Sequence, residues 1–149
     1  MSDLDVPMPR RIRVLIVDEN AAVRQGLTLC VAAYDDLCLA GEATTGHEAI
    51  RQCACTHPDV VLLDATLPDM TSDSVARAIH RIWPPASIIA TCTFQEEKSV
   101  REVLKAKAMG YLLKNVSADQ LARAIRSVHM GHYGLEECVR WPDGHTVRP

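Results

Sequence analysis

Short apolar runs and amphipathic stretches take turns along this chain, and that alternation limits the fold more tightly than any other feature of the sequence. Ile12-Arg13-Val14-Leu15-Ile16-Val17 is rich in β-branched residues and reads as a first strand, ending in Asp18-Glu19-Asn20. From Ala21 the period changes. Val23, Leu27, Val31 and Tyr34 recur at helical spacing, which predicts an amphipathic helix to about Tyr34. Leu37 to Ala43 reads as a second strand near an edge, weakened by Gly41. Thr44-Thr45-Gly46 turns the chain into a helix from His47 to Thr56, which His57-Pro58 stops. Val60-Val61-Leu62-Leu63 carries no alternation and is too short for a packed helix, so it predicts a strand buried on both faces of a parallel sheet, with Asp64 where it surfaces. A third helix over Ser72 to Trp83 buries Val75, Ala76, Ile79 and Ile82, and Pro84-Pro85 ends it. Ser87 to Thr91 is a fourth strand. Gln95-Glu96-Glu97 opens a fourth helix with acids in its first turn, continuing through Val100, Val103 and Leu104. Gly110 to Leu113 is a fifth strand ending at Lys114, and Ser117 with Gln120 forms a capping box for a last helix that Gly131 closes.

Five strands alternating with five helices through short turns predict an α/β fold, a parallel sheet with helices on both faces and right-handed crossovers. The order 2-1-3-4-5, known for flavodoxin-like doubly wound proteins with five strands, is adopted for this chain. In that order strands one and three are neighbours. Their carboxyl ends bring Asp18, Glu19 and Asp64 into one crevice, and the end of strand five sets Lys114 beside them. Taken alone, Asp64 also reads as a cap for the next turn, a role Asp fills well. Clustered carboxylates raise each other's pKa unless a cation neutralises them, and oxygen-only ligands at an open site favour Mg2+. One carboxylate is then free to attack a phosphoryl donor and form an acyl phosphate, with the metal and Lys114 offsetting charge on the transferring oxygens. Asp64, alone on the central strand, is the best placed nucleophile.

The whole-chain balance narrows the function classes. With 149 residues, 48% of them hydrophobic and 23% charged, the chain holds one ordinary domain with a real core. A net charge of -3 argues against direct nucleic-acid binding, and the densest basic stretch, Met8 to Arg13, runs straight into a strand. No run of about 18 apolar residues exists, and the start lacks the basic-then-apolar order of a signal peptide, so no membrane contact and a cytoplasmic location are expected. The six cysteines include no Cys-x-x-Cys pair and sit mostly in apolar runs, which favours buried thiols over disulfides or a metal. Residues 1–10 read as a disordered arm, 11–131 as the domain and 132–149 as a C-terminal tail or linker stub.

Three motifs together, Val14-Leu15-Ile16-Val17-Asp18-Glu19, then Val60-Val61-Leu62-Leu63-Asp64 with Pro68 four residues on, then Gly110-Tyr111-Leu112-Leu113-Lys114, resemble a response-regulator receiver domain of the CheY-like superfamily. The last motif is similar to receivers of the NarL/FixJ type. The resemblance implies that Asp64 is the phosphoacceptor for a sensor histidine kinase in a two-component system. It implies further that Asp18, Glu19, Asp64 and the Thr66 backbone carbonyl hold Mg2+, that Lys114 contacts the phosphoryl group, and that Tyr111 is the switch aromatic. Such receivers signal, and commonly form homodimers, through the face made by the fourth helix, strand five and the last helix. Transcription regulation is the implied output, through an output domain or a partner. The stretch after Gly131 is too short for a helix-turn-helix domain, so the chain reads as a stand-alone receiver or as part of a longer regulator.

Three positions depart from the family pattern. The switch hydroxyl expected at the end of strand four falls on Cys92 by ungapped spacing, with Thr91 and Thr93 beside it; Thr91 is hypothesised to fill the role, because a thiol is a weak donor. Ser72 and Lys107 stand where the family usually has glycine, at positions not expected to touch the chemistry. Asn115 follows Lys114 where many receivers have proline, so no cis peptide is assumed. Two other classes stay open: a Mg2+-dependent phosphatase-like enzyme using an aspartyl nucleophile, and a degenerate receiver that only binds a partner, independently of phosphorylation.

Overall fold

Each of the five apolar runs forms a strand. The computed structural model describes residues 10–93, 102, 105 and 108–131. Within them run β1 (Ile12–Val17), α1 (Ala21–Ala32), β2 (Leu37–Ala43), α2 (Gly46–Thr56), β3 (Val60–Asp64), α3 (Ser72–Ile82), β4 (Ser87–Cys92), β5 (Ala108–Leu113) and α4 (Ala118–His129). The helix expected after Gln95 lies outside the described residues except for Glu102 and Lys105, both helical. Four helices are therefore described where five were expected. The arm before Arg10 and the tail after Gly131 also lie outside them.

The strands pair in the order β2-β1-β3-β4-β5, all parallel. This is the doubly wound order expected from the sequence, and β2 is an edge strand as its glycine foretold. Period-two alternation sorts the strand side chains into two cores. Val14, Ile16, Val60, Leu62 and Ile89 pack under α1 and α4 on one face. Leu15, Val17, Val61, Leu63, Ile88 and Ala90 pack under α2 and α3 on the other. All five β3 residues are buried, which is why that strand shows an unbroken apolar run instead of alternation. Covering one such leucine contributes about 1.5–3 kcal/mol, so the central strands hold much of the fold's stability.

The helix ends follow local chemistry. Asn20 caps α1 by accepting the Val23 N–H at 3.1 Å, and Ser117 and Gln120 form the expected capping box on α4. His57 ends α2 in the left-handed conformation, with φ 49°, and its ring stacks on Trp83 at 4.1 Å. Helix α1 stops at Ala32, two residues short of Tyr34, and β5 starts at Ala108, two residues before Gly110. Of the five described cysteines, Cys53 and Cys92 are buried, Cys30 and Cys38 half-buried and Cys55 exposed, so burial is less general than expected. Burial pushes the Cys53 thiol up to about 11, which keeps it protonated and unreactive. No helix among the described residues is long and apolar enough to cross a membrane.

Candidate functional site

The carboxyl ends of β1, β3 and β5 converge on one buried group of charges. Asp18 follows the last residue of β1, and its N–H donates to the Ala43 carbonyl at 3.0 Å, so the β1–β2 ladder runs on through it. Its Oδ1 accepts the Asn20 N–H at 2.8 Å. Arg24 holds the same loop from the first turns of α1, donating to the Asp18 carbonyl at 2.8 Å and the Glu19 carbonyl at 3.1 Å. Asp64 ends β3, and its Oδ1 accepts the Thr66 N–H at 3.1 Å. Lys114 follows β5 and completes the group: its Nζ lies 3.1 Å from Asp18 Oδ2 and 3.1 Å from Asp64 Oδ1.

The end of β4 fixes this spacing. Thr91 is the register partner of Asp64, and its carbonyl accepts the Ala65 N–H at 2.8 Å. The neighbouring Cys92 carbonyl accepts the Lys114 N–H at 2.9 Å. Two consecutive carbonyls of one strand thus hold the acid on one side and the amine on the other.

Burial dominates the electrostatics. Asp18 is 1% exposed and Asp64 3% exposed. Loss of solvent pushes the Asp64 carboxyl up to about 6, and the charge of Asp18 adds to the rise, while the Thr66 N–H and Lys114 pull the other way. For Lys114, burial works against the ammonium, but the attraction of Asp64 and the contacts with Asp18 outweigh it, so its pKa lies above the usual lysine value.

The donor set fits a small hard cation. Asp18 Oδ2 is buried and no well-directed hydrogen bond reaches it among the described residues, although Lys114 lies in ion-pair range. Glu19 is exposed, and no three His, Cys, Asp or Glu side chains gather as a closed cage among the described residues. Two carboxylates with waters and a carbonyl is the open arrangement that Mg2+ prefers.

The switch candidates point to opposite faces of the sheet. Thr91 continues the face of Ile89, is 1% exposed, and its hydroxyl makes no hydrogen bond among the described residues. Cys92 is buried against Ala65, with half-buried Tyr111 and Leu113 packed on the pair. No peptide bond among the described residues is cis, Lys114-Asn115 included.

Further contacts around the site were not read from the sequence. Ser72 is buried, and its hydroxyl donates to the Asp64 carbonyl at 2.6 Å, so this position does touch the backbone of the expected phosphoacceptor. Its φ is negative, so the turn does not need the glycine of the family pattern. Asp69 accepts the Gly46 N–H at 2.7 Å, the His47 N–H at 3.0 Å and the His47 ring nitrogen Nδ1. These bonds, the Gly46 amide foremost, hold the Asp69 carboxyl far below the usual carboxylate range. They also pin the loop carrying Thr66 to the start of α2. The fit is close: a Cβ on Gly46 would stand 2.8 Å from Met70 Sδ and 2.8 Å from Val75 Cγ2. Gly46→Ala is therefore expected to lower stability by about 1–2 kcal/mol through overpacking, read as a lower denaturation midpoint at unchanged m.

A doubly wound sheet with buried carboxylates at the ends of β1 and β3 and a lysine at the end of β5 defines a receiver. The response regulator receiver domain model matches residues 14–126, more than half of the chain, and the chain belongs to that family. It is 35% identical over 128 residues to the transcriptional regulatory protein LiaR of Bacillus subtilis, covering 86% of this chain and 61% of that protein. It is 33% identical over 128 residues to the uncharacterized transcriptional regulatory protein YhcZ of the same organism, covering 86% of this chain and 59% of that protein. Among solved structures, the NarL signal receiver domain from Mycobacterium tuberculosis superposes with a TM-score of 0.77 at 27% identity, covering 83% of this chain and 99% of that one. The chain spans about three fifths of the curated relatives it matches.

Proposed function

We propose that Asp64 accepts a phosphoryl group from the phosphohistidine of a sensor histidine kinase. The observation that carries this reading is the meeting of Asp18, Asp64 and Lys114 from three strand ends, with Lys114 Nζ 3.1 Å from each acid. An oxygen of Asp64 attacks phosphorus; the O–P bond forms as the P–N bond breaks, and the electron pair leaves with the imidazole, which takes a proton from solvent. Lys114 offsets charge on the transferring oxygens. Mg2+, held by Asp18, Asp64, the Thr66 carbonyl and Glu19 directly or through water, supplies further positive charge to those oxygens when bound. The domain thus assists its own phosphorylation and dephosphorylation without being a turnover enzyme.

Residues 11–131 serve as the receiver. Phosphorylation switches the face that includes β5 and α4 through Tyr111 and either Thr91 or Cys92. A phosphate-analogue complex assigns the switch by the atom that faces the phosphoryl oxygen. The output is a further domain, a partner or a second copy of the chain, and relatives that are transcriptional regulators support control of transcription.

The test is intact mass after incubation with acetyl phosphate and Mg2+. Wild type is expected to gain about 80 Da and Asp64→Asn none. No gain on wild type at any Mg2+ concentration overturns the phosphoacceptor reading and leaves a partner-binding receiver indifferent to phosphorylation.

A further inference from the structure

Where β3 ends, its backbone loses a partner. The Ala65 N–H goes to Thr91 on β4, so by the alternation of a parallel ladder the Asp64 carbonyl faces β1. The last β1–β3 pair is Val17 with Leu63; beyond it the Asp18 N–H goes to Ala43 of β2, and among the described residues no backbone N–H following β1 reaches the Asp64 carbonyl. The Asp64 carbonyl therefore has no strand N–H to accept. A buried carbonyl left in that state is unfavourable, because it has given up its water without gaining a donor. The Ser72 hydroxyl, from the first turn of α3, fills the vacancy at 2.6 Å.

We propose that Ser72 is a positioning residue for the phosphoacceptor, an inference that rests on the reading of Asp64 given above. Its hydrogen bond fixes the plane of the Asp64–Ala65 peptide, one residue before the Thr66 N–H that orients the Asp64 carboxylate at 3.1 Å. Without the hydroxyl this peptide can rotate and carry the carboxylate away from the line of attack. Alignment of reacting atoms is sensitive to shifts of a fraction of an ångström, so loss of the bond slows transfer. Ser72 itself does not touch the donor.

The experiment compares wild type, Ser72→Ala and Ser72→Thr. It follows phosphoryl uptake from acetyl phosphate with Mg2+ by intact mass across donor concentrations, and records the backbone carbonyl 13C shift of Asp64 by NMR. Ser72→Ala is expected to lower the maximal rate on the order of 5-fold at unchanged half-saturating donor concentration, and to move the Asp64 carbonyl resonance. Ser72→Thr keeps a hydroxyl and is expected to restore both. Equal rates and carbonyl shifts in wild type and Ser72→Ala overturn the inference, as does a Thr variant that folds but stays as slow as Ala. If wild type takes up no phosphoryl group, the phosphoacceptor reading and this role of Ser72 both fall; uptake by wild type with no effect of Ser72→Ala removes the Ser72 role alone.

Discussion

Asp64→Asn is expected to make the metal-free protein more stable at neutral pH while abolishing phosphoryl uptake. In the folded protein burial lifts the Asp64 carboxyl from 3.8 to about 6. The unfolded chain releases that proton at the lower value. Between about pH 4 and 6 the folded state holds more protons than the unfolded one, so stability falls as pH rises through that window and stays low above it. A shift of this size corresponds to on the order of 3 kcal/mol at pH 7. Asn carries no charge and escapes it. Urea denaturation of both proteins without Mg2+ should give curves that coincide near pH 4 and separate toward pH 7, Asn above wild type. Equal stability at pH 7 would mean that Asp64 is far better solvated than its burial implies.

Lys114→Met is expected to act in the opposite direction. It removes the ammonium that lies 3.1 Å from both Asp18 and Asp64 and leaves two nearly buried carboxylates facing each other. Taking one partner from a buried ion pair typically costs 3–5 kcal/mol; with Lys114 partly reached by solvent, a loss of about 3 kcal/mol is expected at pH 7 without Mg2+. The deficit should shrink toward pH 4, where Asp64 is protonated. It should also shrink when Asp64→Asn is added, and a double-mutant cycle reads that coupling directly. Strictly additive single effects would show that Lys114 and Asp64 do not interact, whatever their distance.

The sheet was legible because strands buried on both faces leave unbroken apolar runs, as Val60 to Leu63 does. The acids and the lysine were legible as charges placed where such runs stop, and the strand order brought Asp18, Asp64 and Lys114 together as expected. Glu19 was harder. Adjacency to Asp18 in sequence says nothing about side-chain direction in a loop, and it is exposed while Asp18 is buried. Asp69 and Ser72 gave no local sign because their partners are set by tertiary packing: Asp69 meets Gly46 from 23 residues away, and Ser72 meets a carbonyl left over where the β1–β3 ladder stops. Arg24 lies outside the apolar set of α1 and gave no sign of a role, yet it ties down two carbonyls of the acid loop. The choice between Thr91 and Cys92 hinges on a shift of one residue, which reverses the sheet face and which spacing alone does not resolve.

The two adjacent carbonyls at the end of β4 make the sheet itself the gauge of the site. Thr91 holds the strand of the acid and Cys92 the strand of the amine, so the gap between Asp64 and Lys114 is set by strand spacing and not by the length of any loop. Insertions in the surface turns can then accumulate without altering that gap. Heating should leave it intact until the central strands part, so competence for phosphoryl uptake should vanish together with the fold and not in an earlier, separate step.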